Sequence, residues 1–266
     1  MHSAKSDTGL KRPHNEDSFV VDPELGLYVV CDGMGGSNAG EIASALAVEA
    51  IRTHLTEAAN NPDLPLIGPR DPTMSAAANR LASAIRAAND VILRESWTRP
   101  DYEGMGTTVV AARLSEEMLA IAHVGDSRLY LIRNASIHAL TTDHSWVAEQ
   151  MLKGVMTEEE AERSPRRNIV TRALGVDSHV EVELTEVPVK SGDVLLLCSD
   201  GLTRGVRPND ILHVLSSSED IPTQSDRLIA MANEAGGDDN TTVVVVALRN
   251  ALHTGLWERL KQRFVA

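Results

Sequence analysis

The chain has 266 residues, 42% of them hydrophobic, and a formal net charge of -13 at pH 7. That length and apolar content suffice for one large domain with its own core. The acidic balance argues against nucleic acid or an anionic membrane as the main partner, because neutralising phosphates needs a basic face.

Two cysteines, Cys31 and Cys198, close apolar runs and are too few for a disulfide framework. No apolar run approaches the roughly 20 residues of a membrane helix, and the N-terminus lacks the apolar core of a leader. The expectation is a cytoplasmic protein without membrane insertion.

Residues 1–9 are polar and read as loosely held; Arg12 to Asp17 then place a cation near two adjacent carboxylates, Glu16 and Asp17. Ser18–Val21 and Leu27–Cys31 read as the strands of a hairpin whose ends bring Glu16 and Asp17 towards Asp32. Leu27–Cys31 delivers Asp32 into Gly33-Met34-Gly35-Gly36, where a carboxylate beside exposed glycine carbonyls offers oxygen ligands to a hard cation. Asn38 and Glu41 resemble a capping box, followed by about four helical turns with Ile42, Leu46, Val48, Ile51 and Leu55 on an apolar face. A Pro-rich loop covers 60–73, and Leu81, Ile85, Ala88 and Ile92 mark a second helix beside the first.

The pattern then turns to strands. Gly106–Ala112 is rich in β-branched residues, and Met118–Val124 and Arg128–Ile132 read as a hairpin with Asp126 at its tip. Residues 141–174 are irregular and read as a flap: Asp143-His144-Ser145 caps a short helix to Lys153, and an acidic turn at Glu158–Glu160 precedes Arg163, Arg166 and Arg167. Strands are expected at Val180–Leu184, Val194–Cys198 and Val243–Leu248, helices at about 208–217 and 223–235, and an appended amphipathic helix at 250–266. Strands, two helices, strands, two helices and a last strand do not alternate as βαβ units. This favours an α+β layered arrangement, a central antiparallel β-sandwich with helical layers outside.

Four apolar runs abut Gly/Asp turns: Asp32-Gly33, Gly125-Asp126, Asp200-Gly201 and Gly237-Asp238-Asp239. Two like charges 4 Å apart repel by about 4 kcal/mol at an effective dielectric near 20, so converging carboxylates must hold protons or bind divalent metal. Oxygen ligands without a His or Cys cluster select Mg²⁺ or Mn²⁺ over zinc.

Taken in order, Arg12-x-x-Asn15-Glu16-Asp17, Asp32-Gly33-Met34-Gly35-Gly36, Gly106-Thr107-Thr108, Gly125-Asp126-Ser127-Arg128, Ser199-Asp200-Gly201-Leu202 and Asp239-Asn240-Thr241-Thr242 strongly resemble the PP2C (PPM) metal-dependent protein serine/threonine phosphatases in their bacterial form. The resemblance spans about 6–249, which defines the expected catalytic domain, flap included. It implies a β-sandwich between helical layers with a binuclear Mn²⁺/Mg²⁺ centre at one end. It further implies that Asp32 bridges two metals, the Gly33 carbonyl binds one, and Asp200 and Asp239 hold the other. Asp126 with Asp200 would bind a weaker third metal. Glu16, Asp17 and Asn240 would act through metal-bound waters, and Arg12 would grip the substrate phosphate.

The implied reaction is in-line attack of metal-activated water on phosphoserine or phosphothreonine, without a phosphoenzyme. Substrates of a bacterial serine/threonine kinase and a monomeric enzyme are the corresponding expectations. Where eukaryotic members often carry a histidine after Asp-Gly, this chain has Met34, which leaves a metal-bound water or His144 as general acid, the latter more readily a residue pinning the flap base. Two rivals stay open. Cys198 to Arg204 fits the Cys-x5-Arg spacing of cysteine phosphatases, although Asp200 would repel phosphate there, and a catalytically silent relative could act as a binding module.

Overall fold

Alternate residues of a strand point to opposite faces, and in β3 (Leu27–Met34) both sets are apolar, so the strand needs cover on both sides. The computed structural model, which describes residues 1–35, 39–115 and 117–248, supplies that cover. Leu27, Val29 and Cys31 pack under α1 (Ala39–Asn60) and α2 (Ala76–Thr98), while Tyr28 and Val30 face a second sheet.

One sheet holds β3 together with β2 (Asp17–Asp22), β4 (Gly106–Thr107), β5 (Val109–Ser115), β6 (Met118–Val124) and β9 (Glu183–Pro188), in the order β2-β3-β5-β6-β9 with β4 on β3. The other runs β1-β11-β10-β7-β8, from β1 (His2–Asp7), β11 (Thr241–Ala247), β10 (Val194–Cys198), β7 (Arg128–Arg133) and β8 (Ser136–Ala139). All these pairings are antiparallel.

Leu129, Leu131, Leu195, Leu197, Val244 and Val246 meet the first sheet in the central core. Their neighbours Tyr130, Leu196, Cys198, Val243 and Val245 face α6 (Pro208–Leu215) and α7 (Ile221–Glu234). The expected sandwich between helical layers is present. Cys31 and Cys198 sit in different helix–sheet cores, both free and buried.

The structure corrects several local expectations. Residues 2–7 are not loose but form β1, paired from His2 opposite Val246 to Asp7 opposite Thr241. Helix α1 has 22 residues, about six turns rather than four. Its innermost stripe is Ala39, Ala43, Ala47, Ile51 and Leu55, with Ile42, Leu46 and Val48 only half buried, because small side chains let the helix approach the sheet closely. The capping box at Asn38 and the appended helix at 250–266 lie outside the described residues.

The largest correction concerns β6 and β7, which are not a hairpin. They belong to different sheets, so Gly125-Asp126-Ser127 crosses between layers. The strand expected at Val180–Leu184 begins instead at Glu183, Ser136–Ala139 adds the strand β8 to the expected set, and the acidic turn at Glu158 is a five-residue helix, α4 (Glu158–Glu162), with a Thr157/Glu160 capping box at its start. Ser145 caps α3 (Trp146–Leu152) as its sequence suggests.

Gly33 shows how tightly the site end is built. A Cβ there would collide with the carbonyls of Gly40 and Glu16, both backbone atoms that cannot swing away. Gly33→Ala is therefore expected to destabilise the fold by about 2–3 kcal/mol, read as a lower urea midpoint. A midpoint unchanged from wild type would refute the close approach.

Candidate metal centre

Antiparallel pairing makes the motifs converge. Asp17 at the start of β2 pairs with Asp32 near the end of β3, Val109 with Val124 at the end of β6, and Cys198 at the end of β10 with both Arg128 and Val243. The Asp-bearing turns therefore gather at one end of the sandwich.

Asp32 is held by its backbone. Its N–H donates to Thr108 Oγ1 (3.1 Å), and its carbonyl accepts from Thr108 N (2.9 Å) and Thr107 Oγ1 (2.9 Å). Thr108 Oγ1 lies 2.7 Å from Ser127 Oγ, which ties this strand end to the crossing loop that carries Asp126. Gly125 has φ +107°, and a Cβ there would stand 2.6 Å from Thr108 Cβ. Asp200 opens the single-turn helix α5 (Asp200–Thr203), and Asp239 immediately precedes Asn240 and β11.

Burial drives the electrostatics. It raises the Asp32 carboxyl well above its ordinary range, reinforced by the charges of Asp17, Asp200, Asp126 and Asp239. Burial likewise raises Asp17 to about 7, although the Ser199 hydroxyl donates to it at 2.7 Å and opposes the shift. Asp126 is raised to about 7 by burial and then by Asp200 and Asp143, and Asp200 and Glu16 are also raised chiefly by burial. Among the described residues, no hydrogen-bond donor reaches the buried Asp17 Oδ1 and Asp200 Oδ1. Two bare buried carboxylate oxygens within a group of mutually repelling acids suit hard divalent cations, and the donor set is all oxygen.

The remaining expected residues have defined neighbours. Arg12 pairs with Asp239, Nη2 donating to Oδ2 at 2.9 Å and Nε lying 2.8 Å from Oδ1. Asn240 accepts from the Glu16 amide (2.8 Å) and donates to the Thr8 and His14 carbonyls (2.9 Å each), so its side chain locks the loop that carries Arg12 and Glu16.

Two arginines at this end have a place at the site that the sequence motifs do not assign. Arg204 bonds Asp200 Oδ2 and Asp239 Oδ2; its signal was the Asp-x-x-x-Arg spacing on one helical turn, masked by the Cys-x5-Arg coincidence. Arg128 forms a two-pronged pair with Asp143, 2.8 and 2.7 Å.

His144 is engaged on both ring nitrogens. Nδ1 accepts from the Gly125 amide at 3.1 Å, which leaves the proton on Nε2, 3.1 Å from Glu183. Its ring stacks on His123, 4.6 Å between centroids, and His123 Nε2 is 2.9 Å from the Thr142 carbonyl. Those bonds give His144 a pinning position at the start of the 141–174 segment, whose far end bridges through Leu174 to Thr107.

The cysteine alternative fails on the same geometry. Cys198 is fully buried and its thiol is pushed up to about 12 by burial, the opposite of an activated nucleophile, while Arg204 is committed to carboxylates.

A family description, Protein phosphatase 2C, matches residues 11–244. A "Serine/threonine phosphatase stp" of Listeria welshimeri is 39% identical over 96% of this chain and 98% of its own. The structure of the Mycobacterium tuberculosis serine/threonine phosphatase PstP/Ppp superposes with a TM-score of 0.82 at 38% identity, covering 94% of this chain and 99% of that one. A catalytic domain of PstP in complex with two manganese ions superposes with a TM-score of 0.79 at 36% identity, covering 94% and 98%.

Proposed function

Because the chain belongs to the protein phosphatase 2C family, we propose a division of labour among its residues for hydrolysis of phosphoserine and phosphothreonine. The enzyme is a metal-dependent serine/threonine protein phosphatase, using Mn²⁺ or Mg²⁺. Asp32, the Gly33 carbonyl, Asp200 and Asp239 would hold two ions, and Asp126 with Asp200 a weaker third. Such ions supply a water acidic enough to act as nucleophile near neutral pH, and charge to stabilise the phosphoryl oxygens.

The chain's own groups do the rest. Arg12, its Nε and Nη2 edge turned to Asp239, would present its remaining Nη1 and Nη2 hydrogens to the phosphoryl oxygens. Asn240 keeps the Arg12–Glu16 loop at the required height. Glu16 and Asp17, ionised once the cations offset the burial that raises them, would accept hydrogen bonds from metal-bound water and steer it. His144, committed to Gly125 and Glu183, positions the crossing loop, so protonation of the leaving alkoxide falls to water. Physiological targets would be phosphoproteins made by a bacterial serine/threonine kinase, met by a cytoplasmic monomer. The bacterial source of the relatives and the two free buried thiols support this reading.

The observation that carries the reading is the meeting of Asp17, Asp32, Asp126, Asp200 and Asp239 at one end of the sandwich with two bare carboxylate oxygens. The test is hydrolysis of p-nitrophenyl phosphate and a phosphothreonine peptide by metal-stripped protein with Mn²⁺ added back. Activity should need Mn²⁺, be lost in Asp200→Asn and survive in Cys198→Ser. Metal-independent activity lost in Cys198→Ser would overturn the mechanism, and silence under all conditions would leave a binding module.

A further inference from the structure

Asp239 is held by two cations at once. Its Oδ1 takes the Asn240 amide (3.0 Å) and lies 2.8 Å from Arg12 Nε, and its Oδ2 takes Arg12 Nη2 (2.9 Å) and lies 2.7 Å from Arg204 Nη1. Two hydrogen bonds and two further charged contacts crowd the four lone-pair directions of the carboxylate. A cation binding Asp239 must compete with these groups.

Arg204 is the candidate to leave. Arg12 grips one carboxylate in a matched fork, whereas Arg204 spans two: Nη1 on Asp239 Oδ2, and Nε (2.9 Å) with Nη2 on Asp200 Oδ2. It thereby lies across the carboxylate pair that, on the reading above, holds one metal. Its place is set by α5, where the Arg204 amide closes a helical turn on the Asp200 carbonyl at 2.9 Å. The side chain is 30% exposed, so solvent is open to it when it swings away.

We propose that Arg204 is a built-in competitor for the divalent ion at Asp200 and Asp239. Its guanidinium neutralises the pair in the metal-free protein and must be displaced when the ion enters, which lowers the affinity of that site. The inference rests on the metal-phosphatase reading and concerns the occupancy of its site.

The experiment is Mn²⁺ binding to the full chain by calorimetry, with free Mn²⁺ counted by electron paramagnetic resonance. Arg204→Gln, Arg204→Lys and Arg207→Gln are compared with wild type. Arg204→Gln should bind about tenfold more tightly, the scale of one partly buried ion pair of about 1.4 kcal/mol. Arg204→Lys, which keeps the charge without the two-carboxylate span, should recover part of that gain. Arg207→Gln removes an exposed charge three residues further on, which has no ion pair among the described residues, and should stay within about twofold, the residue of long-range attraction alone.

Unchanged or weaker binding by Arg204→Gln would overturn the proposal, the weaker case showing that Arg204 orients Asp200 Oδ1 for the ion. An equal gain in Arg207→Gln would also overturn it, reducing the effect to net charge. If wild type bound no Mn²⁺ at all, the metal-phosphatase reading itself would fall, an outcome distinct from either.

Discussion

Asp32→Asn is expected to lower kcat/KM by about 10³-fold or more, equivalent to several kcal/mol of charge stabilisation, and to weaken Mn²⁺ binding while leaving the fold intact. The substitution is nearly isosteric, and the strand end at Asp32 is held by backbone bonds to Thr107 and Thr108 that do not involve the carboxylate. What disappears is a buried acid whose charged form is disfavoured by burial and by Asp17, Asp200, Asp126 and Asp239. The metal-free variant should therefore melt at a higher temperature than metal-free wild type at pH 7, since wild type must hold the Asp32 carboxyl protonated against its ordinary value and the amide carries no such cost. Lost activity with raised metal-free stability separates a ligand from a structural residue. Activity within tenfold of wild type in saturating Mn²⁺ would remove Asp32 from the metal centre.

The metal-free protein is expected to lose stability as pH rises from about 5 to about 8. Asp17 and Asp126 titrate near 7 in the folded chain, against an ordinary value of 3.8, because burial penalises their charged forms, and Asp32 is raised further for the same reason. Between these limits the folded state holds protons that the unfolded chain has released. The stabilisation is full below about pH 4 and disappears as pH climbs through the folded values. Each retained proton contributes about 1.4 kcal/mol per pH unit. Carboxylates with lowered values, such as Asp193 beside Arg133, lose their contribution only at more acid pH, while His54 and His123, lowered by burial from an ordinary 6.5, act in the opposite sense below that value and flatten the acid end of the slope. With Mn²⁺ present the slope should reverse, because metal binds the deprotonated carboxylates and rising pH favours the complex. Urea midpoints at pH 5, 6, 7 and 8, with chelator and with Mn²⁺, decide the matter. A metal-free midpoint that rises over that range would contradict the buried acid cluster.

Much of the architecture was legible because buried strands and helices leave strong periodic signals. Leu27–Cys31, Val194–Cys198 and Val243 onward are continuous apolar runs and became central strands covered on both faces. Leu81, Ile85, Ala88 and Ile92 recur at helical spacing and are all fully buried. The candidate ligands were legible for a different reason: an aspartate at the end of an apolar run, beside glycine, has little to contribute to a core.

Other features left no local trace. β1 is polar because it is an edge strand, and its partner β11 lies more than two hundred residues away. Gly125-Asp126-Ser127 has the length and composition of a hairpin turn. Only the packing of two sheets, with Thr108 joined to Ser127 and Arg128 to Asp143, makes it a crossing between layers.

The sequence by itself determined the layered fold, the family and the identity of the acids, since these follow from burial patterns and short motifs written in consecutive residues. The tertiary structure alone decided how those acids stand towards one another: which oxygens are left bare, that Arg12 and Arg204 both engage Asp239, and that Arg204 lies across Asp200 and Asp239. Electrostatic interaction and desolvation depend on distance and burial between groups remote in the chain, and no run of neighbouring residues encodes those quantities.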